Sequence, residues 1–458
     1  MQRGYCLIVL LAALAAILNT GAAPRGSNPA DTPATARLRA YLDAFNSGNP
    51  ETLREFFMAH YAESALKETP VEQRVGRYPA AKARLQSIEL KRIVAERPAE
   101  TFVLAKAGNG QDFLLRARVE KEPPHKLLYI FFEPADDPEN LVIPDPKADD
   151  QELVAAVRDF LETQARADDF SGVVLVARNG RVLFHEAYGF ADRDKKIHNQ
   201  KDTKFNLGSI NKSFTRAAIL QLEKQGKLRL DDRIGKFLPD YPNREAAEKV
   251  TIRHLLDMTS GIGDFFGRRY DATPKEKIRT LQDYLPLFAD LPLEFDPGSN
   301  NRYSNGGYIV LGMIIEKASG MDYYSYVREK IFQPRGMLDT DSYARDAGTP
   351  NLAFGYTRES RPDGVRVLNH ATLPGRGSSA GGGYSTAQDM LKYVTALKEG
   401  KIFLPDIANG LGIAGGAPGI SSNVEWDVRS GYVVIVLTNF DPPTAGRAAR
   451  RIMSWLPE

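Results

Sequence analysis

A serine and a lysine three positions apart, Ser209 and Lys212, have the residue types and the spacing for nucleophilic catalysis. They lie in the stretch Phe-Asn-Leu-Gly-Ser-Ile-Asn-Lys-Ser-Phe at 205–214, which continues into an apolar segment that stops before Gly226. This pattern predicts a helix that begins at Ser209 and places both side chains on one face, about 5 to 6 Å apart between Cβ atoms. A neutral lysine there could take the serine proton if burial or a neighbouring cation lowers its pKa. The backbone amide at the helix start could stabilise an oxyanion beside Ser209.

A tyrosine far along the chain could complete this arrangement. Tyr303-Ser304-Asn305 follows the turn Pro297-Gly298 and precedes an apolar segment with helical spacing. A phenol at a helix start could share a proton with Ser209 and Lys212, and the Asn305 amide could bind a substrate carbonyl. The sequence leaves open whether the lysine or the tyrosine is the base.

Both patterns occur a second time, where the surrounding sequence does not favour catalysis. Ser64 and Lys67 repeat the serine-lysine spacing, and we expect them on a solvated helix face. Tyr241-Pro242-Asn243 repeats the tyrosine-asparagine spacing in a proline-rich turn, where we expect no adjacent helix.

Two further patterns suggest other chemistry, and neither has the required context. Gly-Ser-Ser-Ala-Gly at 377–381 matches the nucleophile turn of α/β-hydrolases but lacks the preceding strand and the following helix. Gly-Leu-Gly-Ile-Ala-Gly at 410–415 matches a dinucleotide fingerprint but leads towards a proline and another strand. The six histidines show no ligand spacing. We therefore expect neither a metal nor a cofactor.

The composition of the 458-residue chain is typical of a globular protein. It is 43% hydrophobic and 26% charged, with 60 Lys plus Arg against 58 Asp plus Glu. The net charge of +2, without basic clusters, argues against a nucleic-acid partner. We expect a small-molecule or peptide substrate, and the sequence leaves the oligomeric state open.

The first 23 residues have the pattern of a secretory signal peptide. Arg3 precedes an apolar run at 7–18 that is short for a membrane span, and small residues follow at 21–23. We therefore predict export to the periplasm or the medium without a stable membrane anchor. The single cysteine, Cys6, falls inside this segment, so disulfides, cysteine-bound zinc and a cysteine nucleophile are not expected in the mature chain.

The remaining sequence suggests two domains joined by a linker. Residues 32–136 begin with two helical patterns, the second capped by Asn49, and continue with strand patterns interrupted at Asn109-Gly110. This order predicts a small α+β domain whose pattern resembles, over about a hundred residues, the cone-shaped fold of the nuclear transport factor and ketosteroid isomerase group. The proline-rich and acidic stretch 137–150 is the predicted linker.

Residues 151–458 form the predicted second domain. An amphipathic helix is followed by a hairpin around Asn179-Gly180, while a buried strand at 432–437 and a helix at 445–455 close the chain. Both ends could therefore contribute to one antiparallel sheet with helices on its faces.

Taken together, Ser-x-x-Lys and the later Tyr-Ser-Asn resemble the motifs of the serine β-lactamase, penicillin-binding-protein and family-VIII esterase group, especially its class C branch. The stretches 251–261 and 380–386 agree with this resemblance, which spans about residues 151–455. It implies an α/β (more narrowly α+β) fold, in which an antiparallel sheet flanked by helices adjoins an all-helical region containing Tyr303. It also implies a serine hydrolase that works through an acyl-enzyme on Ser209, with Lys212 and Tyr303 as proton-handling partners. Asn305, Gly415 and Gly416 are the residues implied for substrate and oxyanion binding.

One position departs from the motifs of this group. The last active-site strand of the group carries Lys or His two places before a glycine, and Ile413 stands there in this chain. Because isoleucine offers no positive charge to a substrate carboxylate, β-lactamase or carboxypeptidase activity is less expected than ester or amide hydrolysis. A catalytically silent protein that binds ligands of the cell envelope in the same cleft is the alternative.

Overall fold

The computed structural model describes residues 31–135, 138–139, 143, 145–359, 364–405, 410–428 and 430–457. The chain divides into two compact units, Met1–Pro144 and Asp145–Glu458. The predicted signal peptide and Cys6 lie outside the described residues. Within the ranges above, no helix has the length and apolar character needed to span a bilayer.

The first unit consists of helices followed by an antiparallel sheet. Its helices are α1 (Pro33–Asn46), α2 (Pro50–His60), α3 (Glu63–Glu68), α4 (Val71–Gly76) and α5 (Tyr78–Leu85). The strands β1 (Ile88–Arg97), β2 (Glu100–Ala107), β3 (Asp112–Val119) and β4 (Leu127–Pro134) pair in chain order. The side chain of Asn49 caps α2, as predicted. The likeness of this unit to the cone-shaped fold stays a prediction.

The sequence predicted α1, α2 and a helix face at Ser64 and Lys67, which lies on α3, but not the other two helices of the first unit. The two helices that it missed, α4 and α5, have six and eight residues and no side-chain cap at the N-terminus. Segments this short contain too few apolar repeats for helical periodicity to be recognised.

The second unit is larger and contains both helices and strands. Its helices are α6 (Asp150–Arg166), α7 (Asn211–Lys224), α8 (Arg244–Lys249), α9 (Ile252–Leu256), α10 (Arg268–Ala272), α11 (Leu285–Phe288), α12 (Asn305–Ser319), α13 (Tyr323–Val327), α14 (Ala387–Lys398) and α15 (Thr444–Ser454). Its strands are β5 (Gly172–Arg178), β6 (Arg181–Tyr188), β7 (Phe190–Asp192), β8 (Ile197–His198), β9 (Phe205–Asn206), β10 (Tyr356–Thr357), β11 (Val367–Leu368), β12 (Tyr384–Ser385), β13 (Gly410–Ala417), β14 (Ile420–Asp427) and β15 (Tyr432–Thr438).

The main sheet of this unit has five antiparallel strands in the order β13-β14-β15-β5-β6. Strands from the two ends of the unit meet at its centre, where Val174 pairs with Val436. The prediction of one antiparallel sheet built from both ends is therefore confirmed, and so is the predicted fold class.

Both faces of this sheet are covered. Along β5, Val173 and Leu175 join the large core that contains α7 and α14, whereas Val174 and Val176 join a core with α6 and α15. Because successive residues of a strand point to opposite faces, a continuous apolar strand is the pattern of a sheet buried on both sides.

One expectation about the second unit is wrong. The turn at Tyr241-Pro242-Asn243 does have an adjacent helix, because the side chain of Asn243 accepts a hydrogen bond from Ala246 N and caps α8. An asparagine three residues ahead of a helical amide is a common N-cap, and the shortness of α8 concealed it.

Candidate active site

Ser209 lies in a 3-10 turn, Gly208–Ile210, that continues directly into α7. The helix predicted from the sequence is therefore present, with this tighter turn as its start. Gly208 has a φ of +52°, which L side chains rarely adopt, and its amide donates to Asn206 Oδ1 at 2.9 Å. A glycine thus allows the sharp turn from β9 that presents the serine at the helix start.

Lys212 lies one turn further along α7 and is almost completely buried, with 8% of its surface exposed. Its Nζ lies 3.3 Å from Ser209 Oγ, as the spacing of three residues predicted. The same nitrogen donates to Asn305 Oδ1 at 2.7 Å and to the Ala380 carbonyl at 2.5 Å. Three oxygens therefore surround the amine.

Burial strongly affects the protonation of this lysine. Loss of hydration lowers the pKa of Lys212 from 10.5 to about 7, and the negative charge of Asp264 opposes part of this shift. A substantial fraction of the side chain is therefore a neutral amine near neutral pH, which is the form that can accept a proton.

Tyr303 approaches the serine from the loop before α12. Its hydroxyl lies 2.6 Å from Ser209 Oγ, and its ring centroid lies 4.7 Å from Lys212 Nζ. The pKa of Tyr303 is raised above its ordinary value, mainly because the phenol is partly removed from water. The contact with Ser209 lowers this pKa, and the negative charge of Asp264 raises it further. The phenol is therefore protonated near neutral pH and can donate a hydrogen bond.

Ser304 holds this tyrosine in position. Its Oγ accepts from Gly307 N at 2.8 Å and so caps α12, and it donates to the Gly263 carbonyl at 3.0 Å. These bonds anchor the start of α12 to the loop that carries Asp264.

Asp264 is a site residue that the sequence analysis missed. Its Oδ2 accepts from Asn305 Nδ2 at 2.7 Å, and its Oδ1 accepts from Phe266 N at 3.0 Å. The only signal for it was one acidic residue between Gly263 and two aromatic residues after Thr-Ser-Gly. The Ala380 carbonyl was missed as well, since no side-chain pattern identifies a backbone acceptor.

Gly415 and Gly416 lie on the edge strand β13 against the backbone of Ser209. A Cβ placed on Gly415 would lie 2.0 Å from the Leu207 carbonyl and 2.7 Å from Ser209 N. A Cβ placed on Gly208 would lie 2.7 Å from Gly416 N. Glycine is therefore required for this close approach, which brings the amides of residues 209 and 416 to the same place.

The hydroxyl of Ser422 ties the sheet to the nucleophile turn. It donates to the Leu207 carbonyl at 2.7 Å and lies 3.3 Å from the Gly415 carbonyl. Ile413 lies two residues before Gly415, so the two residues share one face of β13. The Ile413 side chain packs against the main core of the unit. No charged side chain therefore stands at that position of β13.

The structure also shows where the competing motifs lie. Ser378 and Gly381 pair across a tight turn, and this turn carries the Ala380 carbonyl to Lys212. The dinucleotide-like glycines lie within β13, which continues into β14. Ser64 and Lys67 are exposed on α3, as expected. Among the described residues, no cluster of three or more His, Cys, Asp or Glu side chains could hold a metal ion.

Comparison with known proteins agrees with this geometry. Residues 155–412 match the sequence model of the β-lactamase family, a stretch that includes Ser209, Lys212 and Tyr303 and ends before Gly415. A penicillin-binding protein of Bacillus subtilis is 32% identical, and the alignment covers 52% of this chain and 54% of that protein. The esterase EstB of Burkholderia gladioli is also 32% identical, over 60% of this chain and 76% of the esterase.

A solved structure shows the same similarity in three dimensions. The penicillin-binding protein of Bacillus halodurans superimposes with a TM-score of 0.57 at 30% identity, covering 64% of this chain and 98% of that structure. The chain spans about half the length of the Bacillus subtilis protein. The matched stretch makes up more than half of this chain, so the resemblance inferred from the motifs is confirmed: the chain belongs to the β-lactamase family.

Proposed function

We propose that this protein is an exported serine hydrolase that cleaves ester or amide substrates through an acyl-enzyme on Ser209. One observation carries the proposal: the Ser209 hydroxyl lies within hydrogen-bond distance of a phenol at 2.6 Å and of a buried amine at 3.3 Å. Because the pKa of that amine is about 7, it can exist as the free base under ordinary conditions.

The proposed acylation step follows from these contacts. Ser209 Oγ forms a bond to the substrate carbonyl carbon while its proton passes to Lys212 Nζ. The amides of Ser209 and Gly416 donate to the oxyanion. The bond to the leaving group then breaks, and the proton returns from Lys212 through Tyr303 to the leaving oxygen or nitrogen. Water cleaves the acyl-enzyme in a second step with the same partners.

Uncharged acyl donors fit this site better than carboxylate-bearing ones. Ile413 provides no positive charge on the strand beside the nucleophile, and Asp264 adds a carboxylate that contacts Asn305 next to Lys212. A substrate carboxylate would therefore lose hydration without gaining an ion pair. The similarity to an esterase supports ester substrates, whereas the similarity to penicillin-binding proteins suggests slow acylation by penicillins.

Two measurements on the purified mature chain test the proposal. Hydrolysis of p-nitrophenyl esters of short acyl chains should be saturable and should disappear in Ser209→Ala. A fluorophosphonate probe should label the wild type on Ser209, as mass spectrometry of the tryptic peptide would show. Ser64→Ala is the matched control, because Ser64 has the same spacing to a lysine but lies exposed on α3. A wild type that is neither hydrolytic nor labelled would instead support the silent ligand-binding alternative.

We also propose export as the cellular context. The basic and then apolar N-terminus with small residues at 21–23 supports a cleaved signal peptide. Fractionation of expressing cells should place the protein in the periplasm or medium, with a mature N-terminus near residue 24. A full-length N-terminus in the cytoplasm would contradict this.

A further inference from the structure

The carboxylate of Asp264 belongs to a chain of polar contacts that ends at the nucleophile. Asp264 Oδ2 accepts from Asn305 Nδ2 at 2.7 Å, and Asn305 Oδ1 in turn accepts from Lys212 Nζ at 2.7 Å. The lysine nitrogen lies 3.3 Å from Ser209 Oγ. We propose that Asp264 is a positioning residue, which fixes the orientation of the Asn305 amide so that the free electron pair of Lys212 faces Ser209. This inference rests on the proposed hydrolase function.

The first step of the argument concerns the three oxygens around Lys212. A neutral amine has two N–H groups and one electron pair, whereas carbonyl and amide oxygens can only accept. Lys212 therefore gives its two hydrogens to Asn305 Oδ1 and to the Ala380 carbonyl. The third neighbour, the Ser209 hydroxyl, is the one group of the three that can donate. The electron pair thus faces the proton that the reaction removes.

The second step concerns the asparagine. A side-chain amide can present either its oxygen or its NH2 group to a neighbour, and the two orientations have nearly the same shape. The Asp264 carboxylate oxygen accepts from Nδ2, so it selects the orientation with Nδ2 towards itself. If the amide turned over, its oxygen would face the carboxylate and its NH2 group would compete with Ser209 for the lysine electron pair.

The third step concerns how Asp264 itself is held. Its second oxygen accepts from Phe266 N at 3.0 Å, within the same loop. That loop is joined to the start of α12 by the bond from Ser304 Oγ to the Gly263 carbonyl at 3.0 Å. The carboxylate is therefore fixed relative to the helix whose first residue it orients.

Asp264 also affects the charge state of Lys212. Among the described residues, the other titratable groups facing the lysine are the phenols of Tyr303 and Tyr308, whose ring centroids lie 4.7 and 5.5 Å from Nζ. Burial raises the pKa of both tyrosines, so they are neutral near neutral pH. Asp264 is then the negative charge that holds the pKa of Lys212 up.

Two single variants separate orientation from charge. Asp264→Leu removes the acceptor and frees the Asn305 amide, so kcat for a p-nitrophenyl ester should fall about 10²-fold with KM within about threefold. Asp264→Asn keeps the shape and one acceptor but removes the charge. Its acid limb of kcat/KM against pH should therefore move to lower pH, by about half a unit or more. Asp290→Asn is the control: it removes an exposed carboxylate paired with Arg269, and neither quantity should change.

A double variant provides the rescue. In Asp264→Asn combined with Asn305→Asp, the new amide donates to the new carboxylate, which accepts from Lys212 in any orientation. The double variant should recover much of the kcat that Asp264→Leu loses. The acid limb of its kcat/KM profile should move to higher pH, because a negative charge now contacts the amine. A merely structural role for Asp264 would not move the acid limb to lower pH in Asp264→Asn and to higher pH in the double variant.

The outcomes distinguish the two proposals. A wild type without hydrolysis or probe labelling overturns the hydrolase function and this inference with it. An active wild type together with a folded Asp264→Leu that keeps its kcat overturns the inference alone. If Asp264→Leu does not fold, Asp264→Ala decides in the same way, because alanine also removes the acceptor, and a folded Asp264→Ala that keeps its kcat overturns the inference.

Discussion

The hydroxyl of Tyr303 lies 2.6 Å from the hydroxyl of Ser209, although 94 residues separate the two in the sequence. About half of the surface of Tyr303 is solvent exposed, at 51%, so packing alone does not account for its place. The contact instead depends on the start of α12, where Ser304 caps the helix and binds the Gly263 carbonyl.

Tyr303→Phe should abolish most of the activity and leave the fold intact. The change removes only the hydroxyl that can pass a proton to the leaving group, so kcat for an ester substrate should fall about 10²-fold or more. Tm should stay within about 2 °C of the wild type, because a half-exposed phenyl ring contributes the same packing. Tyr241→Phe, in the second Tyr-x-Asn pattern, is the control. Equal loss of kcat in both variants would argue against a specific role for Tyr303.

The dependence of hydrolysis on pH should follow the lysine. Since burial lowers the pKa of Lys212 to about 7, kcat/KM should rise with pH and level off above an apparent pKa of about 7. Lys212→Arg should be inactive across the range, because a guanidinium stays protonated. A rate that shows no acid limb between pH 5 and 9 in the wild type would contradict the assignment of Lys212 as base.

The glycine next to the nucleophile turn provides a third prediction. Gly415→Ala would force a methyl group to 2.0 Å from the Leu207 carbonyl, so β13 or the turn must shift. We expect a loss of about 1 to 3 kcal/mol in the free energy of unfolding and at least about 10²-fold in kcat. Gly412→Ala is the control, because its methyl group would meet only the flexible end of Glu425, at 3.0 Å. Chemical denaturation and ester hydrolysis measure the two effects, and similar losses in both variants would count against the argument.

Much of the fold could be predicted because the strongest patterns are long. The apolar strands β5 and β15 and the helix α7 each contain enough residues for their periodicity to be read. The short helices α4, α5 and α8 were missed because each contains too few apolar residues for a helical period to be recognised.

The candidate site was predictable as far as its side chains form motifs. Ser209 and Lys212 share one helix face, and Tyr303 and Asn305 lie two residues apart at the start of α12, so spacing identifies them. Asp264 could not be found in this way, because one acidic residue in a loop has no periodicity and its partner lies 41 positions away. The positions of Gly415 and Gly416 depend on contact between β13 and the turn that carries Ser209, which the sequence suggested only through the family resemblance.

A positive charge at the position of Ile413 should change which acyl donors react. In Ile413→Lys, an ammonium on the face of β13 that adjoins the nucleophile could pair with a substrate carboxylate, and a hydrogen bond to a charged group contributes about 1.5 to 3 kcal/mol. The second-order rate of labelling by fluorescent penicillin should therefore rise about tenfold or more. Ile413→Met, similar in volume and uncharged, should not show the increase. A rate unchanged in both variants would mean that this position does not contact the donor.

The buried amine should also be visible in protein stability. The unfolded chain binds the Lys212 proton more tightly than the folded chain, because the folded pKa is about 7 and the ordinary value is 10.5. Stability from this residue is therefore lowest below pH 7 and increases as pH rises towards 10.5. Between pH 7 and 9 the gain is at most about 3 kcal/mol, at about 1.4 kcal/mol for each pKa unit.

Lys212→Met removes this dependence. We expect the unfolding free energy of the wild type, relative to the variant, to increase by up to about 3 kcal/mol between pH 7 and 9. The broken contacts to Asn305 and Ala380 lower the stability of the variant by a nearly constant amount, so the slope against pH is the diagnostic quantity. Urea denaturation at several pH values measures it, with Lys224→Met, an exposed position at the end of α7, as the control. Parallel pH profiles for the wild type and Lys212→Met would mean that the lysine keeps an ordinary pKa, and general-base catalysis by its free amine would then lose its physical basis.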